Sequence, residues 1–526
     1  MSGEEPCPSK PRLTTLATAC LVLVTVVPRL STHTADMILN GDEAFSWRIT
    51  AGTTLGELVR MTAEDVHPPL YYILLWGWIR VFGSSAIAMR TLSSVLGILI
   101  VPAVYLLTLS WMRGGGVRDR MNVSLLAGSL AAASLPLIAI SHFVRMYALL
   151  TLLAVLSSAS LSEAFRRPER PAGWIAYVTT ASAALYTHNY ALLLVAGQAI
   201  WATLEIWRSR GQGSRTILIP AASAFALVAA LYLPWLPQLI WQSTVISRGY
   251  WTPRVNLGDI GSVLFHFLIA PGNLFREAAW YESLAGTAVA VAIFWPYRRT
   301  AGERLFWIII ISHVGLIVLS ITLLKRAVLT PRFLVYLIPF VFPPIAYWTL
   351  RIRPAVFRRL LTGWFILFML SITVSAFWLL PASSRGLRDA VAVFRELSAP
   401  GEPLVVSGPG AFLVASYYMG DDKMGHECRV IDPGYSSPES GHVVYSSAIL
   451  PSERVSPHEL YHLAPGGKVW CLAENTKPWY FKGWRTAYSQ VFGGDDIEGS
   501  RYFLIHYLAP TTAPAAPQSP VGDLER

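Results

Sequence analysis

Charged residues are scarce in this chain, and the scarcity is uneven. Only 14% of its 526 residues are Asp, Glu, Lys or Arg and 53% are hydrophobic, whereas a soluble protein carries roughly a quarter charged residues. The deficit is concentrated between Leu13 and Leu380, where long apolar runs alternate with short arginine-bearing links. From about Arg385 onward the composition is that of a globular domain. The sequence therefore predicts a polytopic membrane protein followed by a smaller water-soluble domain.

Motifs of several common protein classes are also missing. The chain has no Walker-type phosphate loop, no paired CxxC, no HExxH and no GxSxG, so ATP-driven transport, zinc proteolysis and serine hydrolysis have no support. Of its four cysteines, Cys428 and Cys471 lie in the soluble domain and would pair only in an oxidising compartment; the sequence leaves that open. The net charge of +10 does not indicate a nucleic-acid partner, because membrane orientation accounts for the arginines between apolar spans.

Apolar runs of membrane-spanning length recur along the first part of the chain. A transmembrane helix needs about 20 mostly apolar residues. The segments that meet this length, or nearly do, are residues 13–30, 87–111, 121–140, 144–165, 172–187, 190–207, 216–236, 281–297, 304–323, 332–350 and 359–380. The first has basic residues ahead of it, as a signal peptide does, but no small-residue cleavage site follows. We interpret it as a retained first span.

The apolar stretch at residues 70–82 decides the orientation. It is too short to span a bilayer. If it does not cross, the arginine-bearing links lie on the inner side, as the positive-inside rule requires. These links hold Arg113, Arg118, Arg120, Arg166, Arg167, Arg170, Arg208, Arg210, Arg215, Arg298, Arg299, Arg358 and Arg359. We therefore predict an amphipathic helix on the outer interface at residues 70–82 and eleven spans in the cytoplasmic membrane, with a cytoplasmic N-terminus and an extracytoplasmic C-terminal domain.

The predicted organisation has three parts. They are a membrane domain at residues 1–380 with outer loops at 31–86 and 237–280, a soluble domain at 385–508, and a Pro- and Ala-rich tail at 509–526 that is typical of disorder. Periodicity in the soluble domain predicts helices at residues 387–397, 411–420 and 456–464, and strands at 402–408, 428–432, 442–447 and 468–474. The fold class is an α-helical polytopic membrane protein with a small C-terminal α/β extracytoplasmic domain.

The first outer loop contains two adjacent carboxylates. Asp42 and Glu43 lie in NGDEAFSW (40–47), just beyond the first span. In an extended or turn conformation neighbours point different ways, so that one could face a cavity while a partner holds the other. A carboxylate at a partly dry interface gains proton affinity, which suits a general base. From the spacing alone, the favoured alternative is a pair of acidic loop residues solvated by water.

A histidine lies before the interfacial stretch, in HPPLYY (67–72). The two prolines fix the start of the helix. His67 could contact a substrate or a metal, whereas a lone histidine is more often a hydrogen-bonded structural residue; the sequence leaves both alternatives open.

Cations recur at the outer mouths of several spans, against the positive-inside bias. They are Arg90, Arg145, Lys325, Arg326 and Arg332, and His188 and Tyr190 lie at the mouth of span six. A charged residue within a span costs about 2.5–3.5 kcal/mol on insertion scales and is usually functional. Several cations around one outer cavity would suit a lipid phosphate. The structural alternatives are snorkelling or pairing with loop carboxylates. Glu205 and His313, which lie within spans, are typical of helix packing.

These motifs, in this order, resemble the GT-C superfamily of membrane glycosyltransferases. The greatest similarity is to glycosyltransferase family 39, which includes protein mannosyltransferases and lipid A aminoarabinose transferases. The resemblance rests on NGDE in a first outer loop, HPPLYY, FGSSAIAMRTLSSVLG (82–97), SHFVRMYALL, YTHNYALL and TPRFLVYLIP. It covers about residues 13–380.

The resemblance implies a reaction. A sugar would pass from a polyprenyl-phosphate carrier to an acceptor glycan, lipid or protein outside the cytoplasmic membrane, with inversion at the anomeric carbon. Asp42 would accept the acceptor's proton, and Glu43 would orient Asp42 or bind acceptor or metal. The lipid phosphate would be stabilised by Arg332, Arg145, Lys325 and Arg90. The donor and acceptor pocket would be lined by His67, Tyr71, Tyr147, His188 and Tyr190. Relatives differ in metal dependence, so a divalent metal requirement stays open, and no other cofactor is implied.

A transporter or flippase of a lipid-linked saccharide is the alternative function. Such a protein needs polar residues through the middle of several spans, whereas here the polar candidates collect at the outer mouths. A catalytically inactive scaffold is a third hypothesis, against which the retained carboxylates and cations argue.

The orientation can be tested with alkaline-phosphatase fusions, because this reporter is active only outside the cytoplasm. A fusion after Ala509 should be active and a fusion after Gly211, in a predicted inner link, should be inactive. The opposite pattern would mean that residues 70–82 cross the membrane.

Overall fold

The structure of the protein is a computed structural model. It describes residues 21, 25–30, 39–112, 116–209, 214–248, 304, 305, 307–313, 315, 331–352, 354, 356, 357, 360, 363, 367, 385–420, 425–431, 448–456, 459–463, 467–475, 481–493 and 501–509. In chain order the α-helices are α1 (Gly41–Thr50), α2 (Leu55–Glu64), α3 (Leu70–Phe82), α4 (Ala86–Trp111), α5 (Val117–Ala132), α6 (Leu135–Ser141), α7 (Tyr147–Arg166), α8 (Pro171–Leu185), α9 (Ala191–Arg208), α10 (Ser214–Tyr232), α11 (Leu236–Arg248), α12 (Phe342–Thr349), α13 (Arg385–Leu397), α14 (Pro409–Met419) and α15 (Leu460–Leu463).

The chain divides into two compact units. The first unit comprises Met1–His33, Arg90–Tyr232 and Arg254–Trp378, and the second comprises Thr34–Met89, Leu233–Pro253 and Leu379–Arg526. The second unit thus gathers most of the first predicted outer loop, the start of the second loop and the C-terminal domain. These are the parts of the chain that the arginine pattern assigns to the outer side.

Long apolar helices account for several of the predicted spans that the structure describes. Among the described residues, Ala86–Trp111, Tyr147–Arg166 and the helical run Thr216–Thr244 are long and apolar enough to cross a membrane, and the bent pair α5–α6 adds a fourth if it is one span. Helices α8 and α9 coincide with two further predicted spans. The predicted spans 13–30, 281–297, 304–323 and 359–380 lie partly or wholly outside the described residues. The number of eleven therefore stays a prediction.

The predicted span at residues 121–140 is broken in the structure, with a bend of 58° between α5 and α6. Pro136 lies in the first turn of α6, where its ring is accommodated, but a proline inside one continuous helix would clash with the preceding turn. The buried guanidinium of Arg29 donates to the carbonyls of Ala131 (3.2 Å) and Ala132 (3.0 Å) at the end of α5. Residues 25–30 therefore pack within the first unit.

Helix α4 and the end of α6 come together at a glycine. A Cβ atom added to Gly97 would lie 1.9 Å from the Oγ and 2.7 Å from the Cβ of Ser141. One turn earlier, the hydroxyl of Ser94 lies 2.9 Å from the carbonyl oxygen of Arg29 and 3.0 Å from that of Ser141. The missing side chain of Gly97 thus allows α4 to contact α6 directly.

The predicted span at residues 332–350 does not form one α-helix. Pro331–Val341 is a 3₁₀ helix, and α12 follows it. Pro339 lies inside the 3₁₀ segment, and Pro343 and Pro344 lie in the first turn of α12. Each proline removes a backbone donor and excludes a preceding α-helical turn, which explains why the winding changes here.

In the second unit, the first outer loop is helical. It forms α1, α2 and the predicted α3 at Leu70–Phe82. The indole of Trp76 on α3 donates to the carbonyl of Thr53 (2.9 Å), and the guanidinium of Arg80 lies 3.5 Å above the Trp76 ring. Helix α11 begins the second predicted loop, and Gln242 donates to the carbonyl of Thr62 on α2 (3.3 Å).

The C-terminal part of the second unit is the predicted α/β domain. Its strands are β1 (Leu404–Ser407), β2 (Cys428–Ile431), β3 (Arg454–Val455), β4 (Lys468–Glu474), β5 (Arg485–Gly493) and β6 (Arg501–Leu508). The sheet order is β3-β2-β1-β4-β6-β5; the first four strands are parallel, and β6 runs antiparallel to β4 and β5. The sequence analysis missed β3, β5 and β6, and its predicted strand at 442–447 lies outside the described residues.

The sheet also settles the cysteine pairing that the sequence left open. Cys428 is paired with Leu404 and Cys471 with Val405, so that β1 lies between the two cysteine-bearing strands. Two strand spacings amount to about 9.5 Å, whereas disulfide-bonded Cα atoms lie about 4.4–6.8 Å apart. Both residues are free thiols. Burial raises the pKa of Cys471 well above its usual range, which keeps this thiol protonated.

The close contact at Gly97 gives a test of the packing of the first unit. Gly97→Ala should lower the free energy of unfolding by about 1–3 kcal/mol, because the new methyl group overlaps the backbone-fixed Cβ of Ser141. Gly128→Ala in α5 is the matched control, since its Cβ would meet nothing closer than 3.8 Å. Thermal unfolding in detergent measures both variants.

A double variant removes the Ser141 side chain that the new methyl group would overlap. Ser141→Gly combined with Gly97→Ala should recover much of the lost stability. If Gly97→Ala unfolds at the same temperature as Gly128→Ala, the two helices do not touch at this position.

Candidate functional site

The two acidic residues of the first outer loop lie in the first turn of helix α1. Asn40 is the N-cap: its side chain accepts from the backbone N–H of Glu43 (3.0 Å), and its own N–H donates to the Glu43 carboxylate (3.2 Å). This reciprocal pair is a capping box, which satisfies two backbone donors at a helix start. The expectation of an extended or turn conformation for these acids was therefore wrong. Side chains with acceptor oxygens are favoured in the first turn of a helix, because the N–H groups of that turn have no acceptor within the helix.

The capping box gives the two carboxylates different environments. Glu43 is 2% exposed and lies in the cap, whereas Asp42 is half-buried. The helix dipole also stabilises negative charge in this first turn. The structure thus separates a buried carboxylate that holds the helix start from a neighbouring carboxylate with solvent access.

His67 has a carboxylate partner that sequence reasoning missed. Its Nδ1 lies 3.0 Å from Oδ2 of Asp65, and both residues are buried. A carboxylate on Nδ1 fixes the ring orientation and favours the tautomer in which Nε2 is the acceptor. The spacing of Asp65 and His67 on either side of Val66 was the available sequence signal.

Tyr71 is a buried residue of helix α3. It is fully buried and its ring meets that of Tyr72 at 5.6 Å, while Tyr72 meets Phe45 of α1 edge-on at 6.2 Å. Edge-to-face rings of this kind contribute packing energy. Tyr72 therefore packs α3 against the helix that carries the carboxylates, and Tyr71 packs beside Tyr72.

In the first unit, three of the sequence motifs converge on one cluster of rings. We call Tyr147, His188, Tyr190 and Phe333 the ring cluster. Phe333 lies 6.4 Å from Tyr147, 5.6 Å from His188 and 5.6 Å from Tyr190, between ring centroids. SHFVRMYALL, THNYALLL and the segment from Pro331 thus meet, although 186 residues separate Tyr147 from Phe333 along the chain.

The hydrogen bonds around the ring cluster orient its members. The backbone N–H of Tyr190 donates to Nδ1 of His188 (3.1 Å), so that nitrogen is the acceptor of a neutral imidazole. The hydroxyl of Tyr336 donates to the carbonyl of Tyr190 (3.1 Å) and also contacts Nε2 of His313. His313 thereby joins its own span to the 3₁₀ segment, in the packing role that the sequence indicates.

The structure describes the side chains of two of the four predicted phosphate-binding cations. Arg90 and Arg145 are buried, with 3% and 4% exposure. Arg145 lies in the turn between α6 and α7, just before the Met146 N-cap. Lys325 and the side chain of Arg332 lie outside the described residues. Both arginines thus lie in a low-dielectric environment, where a charge interacts more strongly with its surroundings than in water.

Glu205 has a packing role, as the sequence indicates. Its carboxylate accepts from Nε and Nη2 of Arg304, each at 2.6 Å, and Arg208 lies 3.3 Å away. This paired, fork-like geometry is typical of strong Arg–carboxylate contacts. This ion pair links helix α9 to the helical segment that contains Arg304.

The described residues contain no group of three or more His, Cys, Asp or Glu side chains placed to hold a metal ion. The pair of Asp65 and His67 supplies two such groups, and Asp42 and Glu43 lie elsewhere on the same loop. A metal requirement stays open, as it was in the sequence.

The comparisons with known proteins concern the fold. No family model and no curated protein matches the chain. Among solved structures it is similar to ArnT from Cupriavidus metallidurans in the apo state, with 13% identity, a TM-score of 0.60, and 96% of this chain and 100% of that chain covered. The same enzyme bound to undecaprenyl phosphate gives 13% identity and a TM-score of 0.55 over the same 96% and 100%. The chain therefore shares the fold of these two structures, which is the kind of fold that its motifs suggested.

The capping box can be tested against a second one in the same loop. Thr54 and Glu57 cap helix α2 in the same way, at an exposed first turn. Asn40→Ala and Thr54→Ala should each cost about 1 kcal/mol, and each should speed amide hydrogen exchange in its own helix alone. Unchanged exchange in Gly41–Thr50 for Asn40→Ala would contradict the cap. Glu43→Gln, which retains the hydrogen-bonding pattern, should leave the helix intact.

Proposed function

We propose that this protein is a membrane glycosyltransferase. It moves a sugar, a hexose or a pentose, from a polyprenyl-phosphate donor to an acceptor hydroxyl on the extracytoplasmic side. The observation that carries the proposal is the fold likeness over 96% of the chain to ArnT, which has been solved with undecaprenyl phosphate bound. The motif order in the sequence and the convergence of three motifs on the ring cluster support it.

The reaction requires one base and stabilisation of one leaving group. The acceptor oxygen attacks the anomeric carbon as the bond from that carbon to the phosphate oxygen breaks. Asp42 accepts the hydroxyl proton, and polyprenyl phosphate leaves with the bonding electron pair. The products are the glycosylated acceptor, with inverted configuration, and polyprenyl phosphate. The half-buried position of Asp42 at a capped helix start supports its assignment as the base.

Glu43 supports the reaction through the position of its neighbour. Its carboxylate is buried in the capping box, so we assign it the orienting role among the alternatives that the resemblance allows. Loss of the cap would free the first turn of α1 and with it Asp42.

The departing phosphate carries negative charge that grows in the transition state. We assign its stabilisation to Arg332, Arg145, Lys325 and Arg90. Fixed cations in a low-dielectric environment stabilise such charge without reorganising, which is usually the largest electrostatic contribution to catalysis. The burial of Arg90 and Arg145 supports this role for the two described members. We also assign to the pocket that holds donor and acceptor the residues His67, Tyr71, Tyr147, His188 and Tyr190.

Substitution of the base is the decisive test. Asp42→Asn should lower transfer by about a hundredfold to ten thousandfold, the usual contribution of a general base. The change also weakens the charge–dipole interaction at the helix start, but this costs only about 0.3–1 kcal/mol. The measurement is release of polyprenyl phosphate from a panel of polyprenyl-phosphate sugars, with a cell-envelope extract as acceptor source.

Asp389→Asn, at a half-exposed carboxylate of the α/β domain, is the matched control and should transfer normally. Normal transfer by Asp42→Asn would remove Asp42 as the base. If the wild-type protein releases no phosphate from any donor but moves labelled lipid across liposomes, the protein is a flippase instead.

A further inference from the structure

The α/β domain is attached to the helix that carries Asp42, within the second unit. Helix α1 has only 10 residues, and isolated helices shorter than about 12–15 residues are marginal in water. Its position must therefore come from tertiary contacts. One side packs on α3 through Phe45 and Tyr72, and the remaining contacts described below come from the C-terminal domain, more than 300 residues away in sequence.

The N-terminal end of α1 is held by Tyr418 of helix α14. The backbone N–H of Leu39, immediately before the Asn40 N-cap, donates to the Tyr418 hydroxyl at 3.1 Å. Leu39 is 1% exposed, so its N–H group has little access to water and loss of this acceptor would be costly. The hydrogen bond fixes the chain one residue ahead of the capping box.

The middle of α1 is held by the adjacent tyrosine. The ring of Tyr417 meets Trp47 edge-on, with centroids 5.2 Å apart. The Tyr417 hydroxyl accepts from the backbone N–H of Ala86 (2.9 Å), the first residue of α4. One side chain of the α/β domain therefore contacts α1 and the start of the long apolar helix.

The C-terminal end of α1 is held by an ion pair. Arg48 pairs with Glu453, and its Nε donates to the carbonyl of Ala448 (3.3 Å). Both groups are partly buried, at 26% and 21% side-chain exposure, which makes the pair more rigid than an exposed one. Both ends and the middle of α1 are thus bonded to the α/β domain.

We infer that the C-terminal α/β domain is a positioning element for the catalytic base, through Tyr417, Tyr418 and the pair of Arg48 and Glu453. This inference rests on the proposed function in that Asp42 is the base. Catalysis is sensitive to misplacement of a reacting group by about 1 Å. A domain that fixes α1 at three points would therefore set the turnover rate without touching the substrate. These four are positioning residues.

Conservative variants of the full-length protein separate positioning from stability. Tyr418→Phe removes one hydroxyl and keeps the ring. It should lower kcat about tenfold to a hundredfold, leave the KM for donor within about twofold because uniform binding is unaffected, and speed hydrogen exchange in residues 39–50. Tyr488→Phe is the matched control, because in the part of the chain that the structure describes that hydroxyl bonds Gln490 of its own strand, away from α1. This control should leave kcat, the KM for donor and hydrogen exchange in residues 39–50 unchanged.

The ion pair provides a rescue experiment. Arg48→Glu and Glu453→Arg should each lower kcat, and the double reversal should recover most of it, because the attraction is restored in the opposite sense. The same reversal of Arg60 and Glu64, an exposed pair on α2, should have no effect on kcat.

The outcomes distinguish this inference from the proposed function. If Tyr418→Phe and the single reversals keep the kcat of the wild type, or if kcat and KM change together only as thermal stability is lost, the positioning role is overturned. If the wild-type protein transfers no sugar, the proposed function fails. The attachment of α1 to the α/β domain is then tested by hydrogen exchange in the Tyr418→Phe variant alone. Faster exchange in residues 39–50 then supports the attachment of α1 to the domain, and unchanged exchange overturns it.

Discussion

The structure depends on one constraint, which is that backbone N–H and C=O groups at interrupted helices must find partners away from water. In the first unit, a proline interrupts a span, and Arg29 supplies two donors to the carbonyls that end α5. The bend that results directs the chain into the turn that holds Arg145. The buried charge of Arg29 is therefore explained by the backbone carbonyls to which it donates. The break between α5 and α6, which these hydrogen bonds stabilise, turns the chain toward the ring cluster.

The same constraint places the carboxylates in the second unit. The first turn of α1 needs acceptors, and Asn40 and Glu43 provide them. One residue earlier, Leu39 needs an acceptor too, and Tyr418 provides it from the C-terminal domain. A site residue such as Asp42 is therefore fixed less by its own contacts than by how its neighbours satisfy their backbone groups. This is why its position depends on residues in a different part of the chain.

Composition and periodicity predicted the helices of the membrane domain and the α/β class of the C-terminal domain, because both follow from local apolar spacing. The capping box is also within reach of the sequence, since Asn40 is followed three residues later by Glu43, which is the usual signature; the prediction of an extended or turn conformation overlooks it. The antiparallel strands β5 and β6 were missed, and so was the contact of Leu39 with Tyr418. That contact joins residues 379 positions apart in the chain, and no local pattern encodes which distant partner a buried N–H will find.

This arrangement explains in physical terms why Asp42 and Glu43 are neighbours in the sequence. A single carboxylate cannot both close a capping box, which requires burial and fixed hydrogen bonds, and exchange a proton with a substrate, which requires access. Two neighbours in the first turn of a helix point in directions about 100° apart, so one can be buried while the other stays accessible. The helix dipole stabilises negative charge on both. A pair of acids in one helical turn is therefore an economical way to combine a rigid support with a reactive group, and the rigidity of the support extends to the domain that holds the helix.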